Sequence, residues 1–341
     1  MNILNKEVSN KWKGIAALGV VASHTLPVST YSFLAYLTVG HLWVGIFFFL
    51  SGYGLSFSYR NKKNYLKGFL WSKIKRIYIP FVIAQILYLF AIRMAWNRLL
   101  LSIPKVFGLG LVNSVLWYIL EILVLYILFW AEKKIIKREN DDIIWIFLIV
   151  SFIFVLVIID AIFEIGPFWY VSSITFLIGY LFGNRMDRIS CKIDKFIEKI
   201  KQIIIQKRVT CISGVVLTFL VYVRINLESL RVNPIFHYLG LSSIKSSYIF
   251  TFLQLIEVPL FLIVVLGVAE YTSEKRNILS FLGNISFEIY LVHMIWKKIF
   301  DSMLRSNPIV ETLLIFIFTI LSSCLYHLFL NLLFKKSKVS I

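Results

Sequence analysis

Charge is scarce in this chain. Of its 341 residues only 16% are Asp, Glu, Lys or Arg, against 59% hydrophobic, and the mean hydropathy is +0.81. A soluble globular domain carries roughly 25% charged residues, so the composition excludes an ordinary soluble protein and points to a polytopic membrane protein. Acidic groups are the scarcer sign, 18 against 36 Lys and Arg, for a net charge of +18. The basic residues fall mainly in short runs between apolar segments, which is topology signalling; no nucleic-acid partner is expected. Cysteine is nearly missing: Cys191, Cys211 and Cys324 lie far apart and have neither metal nor redox spacing, so no metal is expected. Also lacking are a small-x-small cleavage site after the first apolar stretch, a lipidation motif, a low-complexity linker and an internal repeat. The first stretch is therefore expected to stay as a transmembrane helix, and residues 1–341 to form a single membrane domain with no fused soluble domain. A transporter built from duplicated halves finds no support.

Long apolar runs are what the chain has in place of charge. Segments at about 13–30, 39–59, 77–96, 115–132, 143–160, 168–184, 209–224, 248–270, 279–300 and 309–334 can each cross a bilayer as a helix. The expected fold is an all-α bundle of about ten transmembrane helices in the inner (cytoplasmic) membrane. Most Lys and Arg then collect on one side if both termini are cytoplasmic. Within 60–76, Tyr65, Leu66, Phe69 and Leu70 share a helical face with lysines elsewhere, which predicts an interfacial amphipathic helix; 185–208 is mixed in the same way. Such stretches attract anionic lipid headgroups, or a phosphate-rich ligand arriving from the cytoplasm.

Several polar residues lie where membrane segments rarely hold them. His24 sits in the first span, eleven positions after Lys13, which a helix converts to roughly 16 Å. An ionisable group at that depth is expensive and functional by default, and imidazole suits proton transfer near neutral pH. Buried and neutral, it can act as a general base on a hydroxyl; the plain alternative is a hydrogen-bonded packing histidine. Lys73 and Arg76 share a face at the entrance of the third span and can clamp phosphates, or simply anchor the helix. Ser51 and Gly52 permit a close helix or ligand approach. Trp117 leads to Glu121, a carboxylate that needs a partner and is able to orient a histidine. Asn113 precedes that span and can meet a polar ligand at the outer face. Glu257 should pair with a basic group. Tyr290 and His293 open the ninth span, and packing explains them as well as chemistry does. His41 and His237 are expected at the outer surface and His327 deep in the last span; none receives a role.

Taken in order, these residues resemble the acyltransferase 3 family of integral membrane acyltransferases over nearly the whole chain. The family's basic residue, ten intervening positions and histidine match Lys13 and His24, with Lys for the usual Arg. Its basic-x-x-Arg element matches Lys73 and Arg76, and its Phe-Phe-x-x-Ser-Gly signature matches Phe47, Phe48, Ser51 and Gly52. Trp117 and Glu121 fit its Trp-x-x-x-Glu element; Gly283, Ser286, Phe287, Tyr290, Leu291 and His293 fit its late Gly-x-x-Ser-(Tyr/Phe)-x-x-Tyr-Leu-x-His element. An Asp that many relatives carry before the Phe pair is missing from Val44-Gly45-Ile46.

The resemblance implies an acyl-CoA-dependent O-acyltransferase, with acetyl-CoA as donor and a cell-surface glycan or lipid-linked oligosaccharide as acceptor. On that reading His24 and Glu121 serve catalysis, and Lys13, Lys73 and Arg76 hold the donor. Ser51, Asn113, Trp117, Tyr290 and His293 meet substrate. An acyl-His24 relay is a variant of the same chemistry. A glycan or lipid-linked transporter without acyl transfer is the rival, and an envelope scaffold a further one. Oligomeric state is not readable, because lipid-facing and partner-facing apolar surfaces look alike.

Overall fold

A computed structural model describes residues 5–28, 32–92, 102–135, 142–163, 165–183, 199, 202–204, 206–231, 243–269, 271–273, 275–303 and 307–335. The regular structure among them is helical, with no strand. Helix α1 spans Lys6–Thr25, α2 Gly40–Asn61, α3 Phe69–Lys73 and α4 Ile79–Ala91. Then come α5 at Trp117–Ile135, α6 at Asp142–Phe163, α7 at Phe168–Val171 and α8 at Ile174–Gly183. The chain closes with α9 (Lys207–Arg231), α10 (Ser243–Ala269), α11 (Ile278–Asn284), α12 (Ser286–Met303) and α13 (Pro308–Lys335). Asn5 starts α1, its side chain accepting the Val8 N–H at 2.9 Å. The helix stops where Leu26 turns extended ahead of Pro27, a residue that disfavours a helical predecessor.

Small residues set how closely the helices approach. α2 lies along α8, and a Cβ on Gly52 would collide with the Phe176 carbonyl, as one on Gly179 would with that of Phe49. α1 lies along α11 in the same manner, with Gly14 against Leu279 and Gly283 against Asn10. Lipid offers no hydrophobic drive for helices to associate, so this intimate contact is what dispersion needs. Phe48, Phe81, Phe129, Trp145, Phe176 and Tyr180 are fully buried between the helices, and outward faces such as that of α6 (Phe147, Phe154, Ile162) remain apolar and exposed.

Seven described helical stretches are long and apolar enough to cross a membrane, and an eighth arises if α11 and α12 count as one span. The chain is thus a multi-pass membrane protein. The sequence reading of ten is not reached by length and composition. α1 is too polar in its first half, with Lys6, Glu7, Asn10, Lys11 and Lys13, and the Phe168–Gly183 segment is short. The expected span near 279–300 is broken: α11 and α12 meet at 79° around Ile285.

The interfacial helix expected over 60–76 does not form. Asn64 and Gly68 take left-handed backbone angles, φ 53° and 69°, so the chain turns over residues 62–68 between α2 and α3. Tyr65 and Phe69 instead pack inward, their rings 5.4 Å apart. Most of 185–208, with Cys191, and His237 lie outside the described residues.

Candidate active site

His24 occupies the last turn of α1 and is exposed there. One face of its ring stacks on His293 of α12, with centroids 5.4 Å apart and planes at 30°. His293 is fully buried, its Nδ1 2.8 Å from the Tyr290 carbonyl. A carbonyl only accepts, so Nδ1 carries the hydrogen and donates, which leaves Nε2 with its lone pair. That nitrogen is buried and has no partner among the described residues. Tyr290 donates its hydroxyl to the Val115 carbonyl, in the short 3-10 turn Ser114–Leu116 that leads into α5. One helical turn of α12 therefore ties the histidine pair to the entrance of α5.

Beside Tyr290 a cavity of about 230 Å³ opens, lined by Lys13, Phe47, Tyr118, Asn284, Ser286 and Tyr290 among others. The break between α11 and α12 forms one wall. Continuous helices with larger residues at 14 and 283 would bring no such corner into the bundle. Lys13 makes no ion pair among the described residues and supplies the cavity with a cation. Tyr118 shares a hydrogen bond of 3.1 Å with Ser51 and meets Tyr290 edge-on at 5.7 Å. Of the expected residues Lys13 and Tyr290 line this cavity, Ser51 reaches it through Tyr118, and the His293–His24 pair stands beyond Tyr290, whose ring centre is 5.9 Å from that of His293.

Other expected members stand apart from it. Lys73 points inward, with Nζ 3.7 Å from the centre of the Tyr126 ring and 5.1 Å from that of Phe69, while Arg76 is exposed. The α-helical spacing that would stack these two is interrupted by a π turn over Ile74–Tyr78. Pro80 follows, and without an N–H it cannot return a bond to the Arg76 carbonyl, so the wider turn costs little. Glu121 has no histidine partner among the described residues. It is buried, one oxygen accepts from the Ser173 hydroxyl in the turn between α7 and α8, and the other has no partner among the described residues. Trp117 packs among Phe48, Phe168 and Trp169 and is buried away from the cavity lining. Asn113 is buried as well, not set on an open outer face.

Other buried charges among the described residues are paired. Glu257 of α10 accepts from Arg224 Nε of α9 at 2.9 and 3.1 Å, the pairing with a basic group that the sequence calls for. His41 completes that cluster at 2.9 Å, so it is an inward residue of α2 and not a surface one. His327 finds a partner that no motif signals, Glu288 at 2.7 Å. No group of His, Cys, Asp and Glu among the described residues is arranged to hold a metal.

Ser173 and Gln85 escaped the sequence reading. Gln85 had a signal, a lone amide inside the apolar run of α4, whereas Ser173 looks like any serine of a turn.

A family model described as an acyltransferase domain matches residues 10–328. Neither a curated protein nor a solved structure matches the chain. The matched stretch runs from the first turn of α1 to the last turns of α13 and so contains both histidines, the cavity and the π turn. The chain belongs to the acyltransferase 3 family and is a multi-pass membrane acyltransferase.

Proposed function

We propose that this protein moves an acyl group, most simply acetyl, from cytoplasmic acetyl-CoA to a hydroxyl of a cell-envelope polysaccharide or lipid-linked glycan, with His24 as general base. The observation that carries the reading is the stacked pair. An exposed imidazole is held against a buried one whose tautomer a backbone carbonyl fixes, and Tyr290, beside that second ring, lines a cavity that contains a lysine with no ion pair among the described residues. The donor's phosphates meet Arg76 and Lys73 on the face expected to be cytoplasmic, and its acyl end enters the cavity past Lys13 and Ser51. The glycan arrives from the opposite side, where His24 is open.

In the reaction a glycan hydroxyl oxygen attacks the thioester carbonyl carbon. The new C–O bond forms as the hydroxyl proton passes to the free ring nitrogen of His24. Collapse of the tetrahedral species breaks the C–S bond, and the departing CoA thiolate takes the proton back. Ester and thiol leave, and the imidazole is neutral again. His293 holds the plane of the attacking base by stacking. Glu121, fixed by Ser173, acts on the frame of α5 and not on the proton.

The test is acetate released by mild alkali from envelope glycan of cells with wild-type protein, with none, and with His24→Ala at equal membrane abundance. A general base contributes about 10²- to 10⁴-fold, so the variant should fall to the level of cells without the protein. Wild-type acetate from the variant would sink the assignment. Vesicles that move unmodified glycan without consuming acetyl-CoA would favour a transporter.

A further inference from the structure

We infer that Gln85 and Asn113 form a paired amide donor site that grips an oxygen of the carbohydrate acceptor, an assignment that rests on the acyltransfer reading above. The two side chains lie fully buried between α4 and the entrance of α5, at 0% and 2% exposure. Gln85 Oε1 accepts the backbone N–H of Asn113 at 2.9 Å, and Asn113 Oδ1 accepts the N–H of Val115 at 3.3 Å. An amide whose oxygen faces a backbone N–H cannot be flipped, because its NH₂ would then face another donor. Both nitrogens are thereby fixed as donors pointing away from those bonds. Neither Gln85 Nε2 nor Asn113 Nδ2 has an acceptor among the described residues.

Two buried amide groups without acceptors are costly to keep, and the cost disappears when a ligand brings oxygens to them. Their place in the fold names the ligand. Hydrogen bonds run from Gln85 to Asn113, to Val115, to the Tyr290 hydroxyl, and from the Tyr290 carbonyl to His293. The donors and the histidine pair are thus fixed in one frame, at the end of α5 expected on the side from which the glycan comes. A sugar ring presents several acceptor oxygens within a few ångströms of any hydroxyl, so it can fill two donors while another hydroxyl reaches His24. An acyl-CoA thioester has a single carbonyl oxygen to offer.

Gln85→Glu and Asn113→Asp keep the oxygen that each backbone N–H needs and put an accepting carboxylate oxygen in place of each NH₂ donor. The assay follows radiolabel from acetyl-CoA into envelope glycan first stripped of esters by mild alkali. KM is measured for each substrate in turn, with protein at matched membrane abundance. Loss of one amide donor to a bound oxygen corresponds to about a tenfold rise in KM for the glycan, with KM for acetyl-CoA unchanged. Should the acidic variants fail to accumulate, Asn113→Ser keeps a hydroxyl to cap Val115 and is read in the same way. Unchanged glycan KM, or an equal rise in both constants, overturns the inference while leaving acyltransfer intact. A wild-type protein that labels no glycan overturns both.

Discussion

At the scale of single residues, His24 and His293 were each legible as polar intruders in apolar segments, but their partnership was not. They are far apart in the chain, and only the packing of α1 against α12 brings the rings to 5.4 Å. Glu121 shows the reverse: its place in an apolar segment calls for a partner, and sequence alone does not choose between a histidine and Ser173, whose hydroxyl one of its oxygens accepts. Gln85 could have been found by asking the same question of every amide in an apolar helix. The stack itself is testable. If His293 serves by holding the plane of His24, His293→Phe retains a flat ring and should keep more activity than His293→Ala. The alanine variant should lose up to about 10²-fold, the cost of a misplaced catalytic group. Equal acetate release from the two variants would mean that the imidazole of His293 acts through its nitrogen, not through its face.

At the scale of elements, helix existence was legible because apolar runs are long, whereas breaks and register were not. Asn64 and Gly68 end what the pattern of Tyr65, Leu66 and Phe69 offers as one amphipathic helix. Nothing in 74–78 announces a π turn except the proline that follows it. The pairing of α9 with α10 is different, since Glu257 had to find a cation, and Arg224 with His41 provides it. Removing one member should be far worse than removing both. Glu257→Leu leaves a buried guanidinium without its carboxylate, at a cost of about 3–5 kcal/mol. The double change Arg224→Met with Glu257→Leu should recover most of that. Thermal unfolding in detergent checks it: a double variant as unstable as the single one would show that the cluster is not a pair in the energetic sense.

At the scale of the whole molecule, the all-α bundle was readable from composition, and its family from five short motifs. The number of spans was harder to read, because a first helix rich in lysine and a helix broken at 79° do not look like membrane segments of ordinary length. The distribution of basic residues expects the 62–68 turn and the Ser32–Leu37 turn on opposite sides. Cysteines placed singly by Asn64→Cys and Leu37→Cys, with Cys191, Cys211 and Cys324 replaced, should react with an impermeant maleimide from opposite faces of sealed vesicles. Labelling of both from one face would require a different threading of α2.

Lys13 extends this to thermodynamics. A cation without a counter-ion among the described residues makes the cavity more favourable with an anion in it than without one. Any anionic occupant then contributes to the folding free energy by mass action, about 2.7 kcal/mol at a hundredfold excess over its dissociation constant. The heat resistance of the protein in its membrane thus becomes a readout of whatever anion the cavity takes.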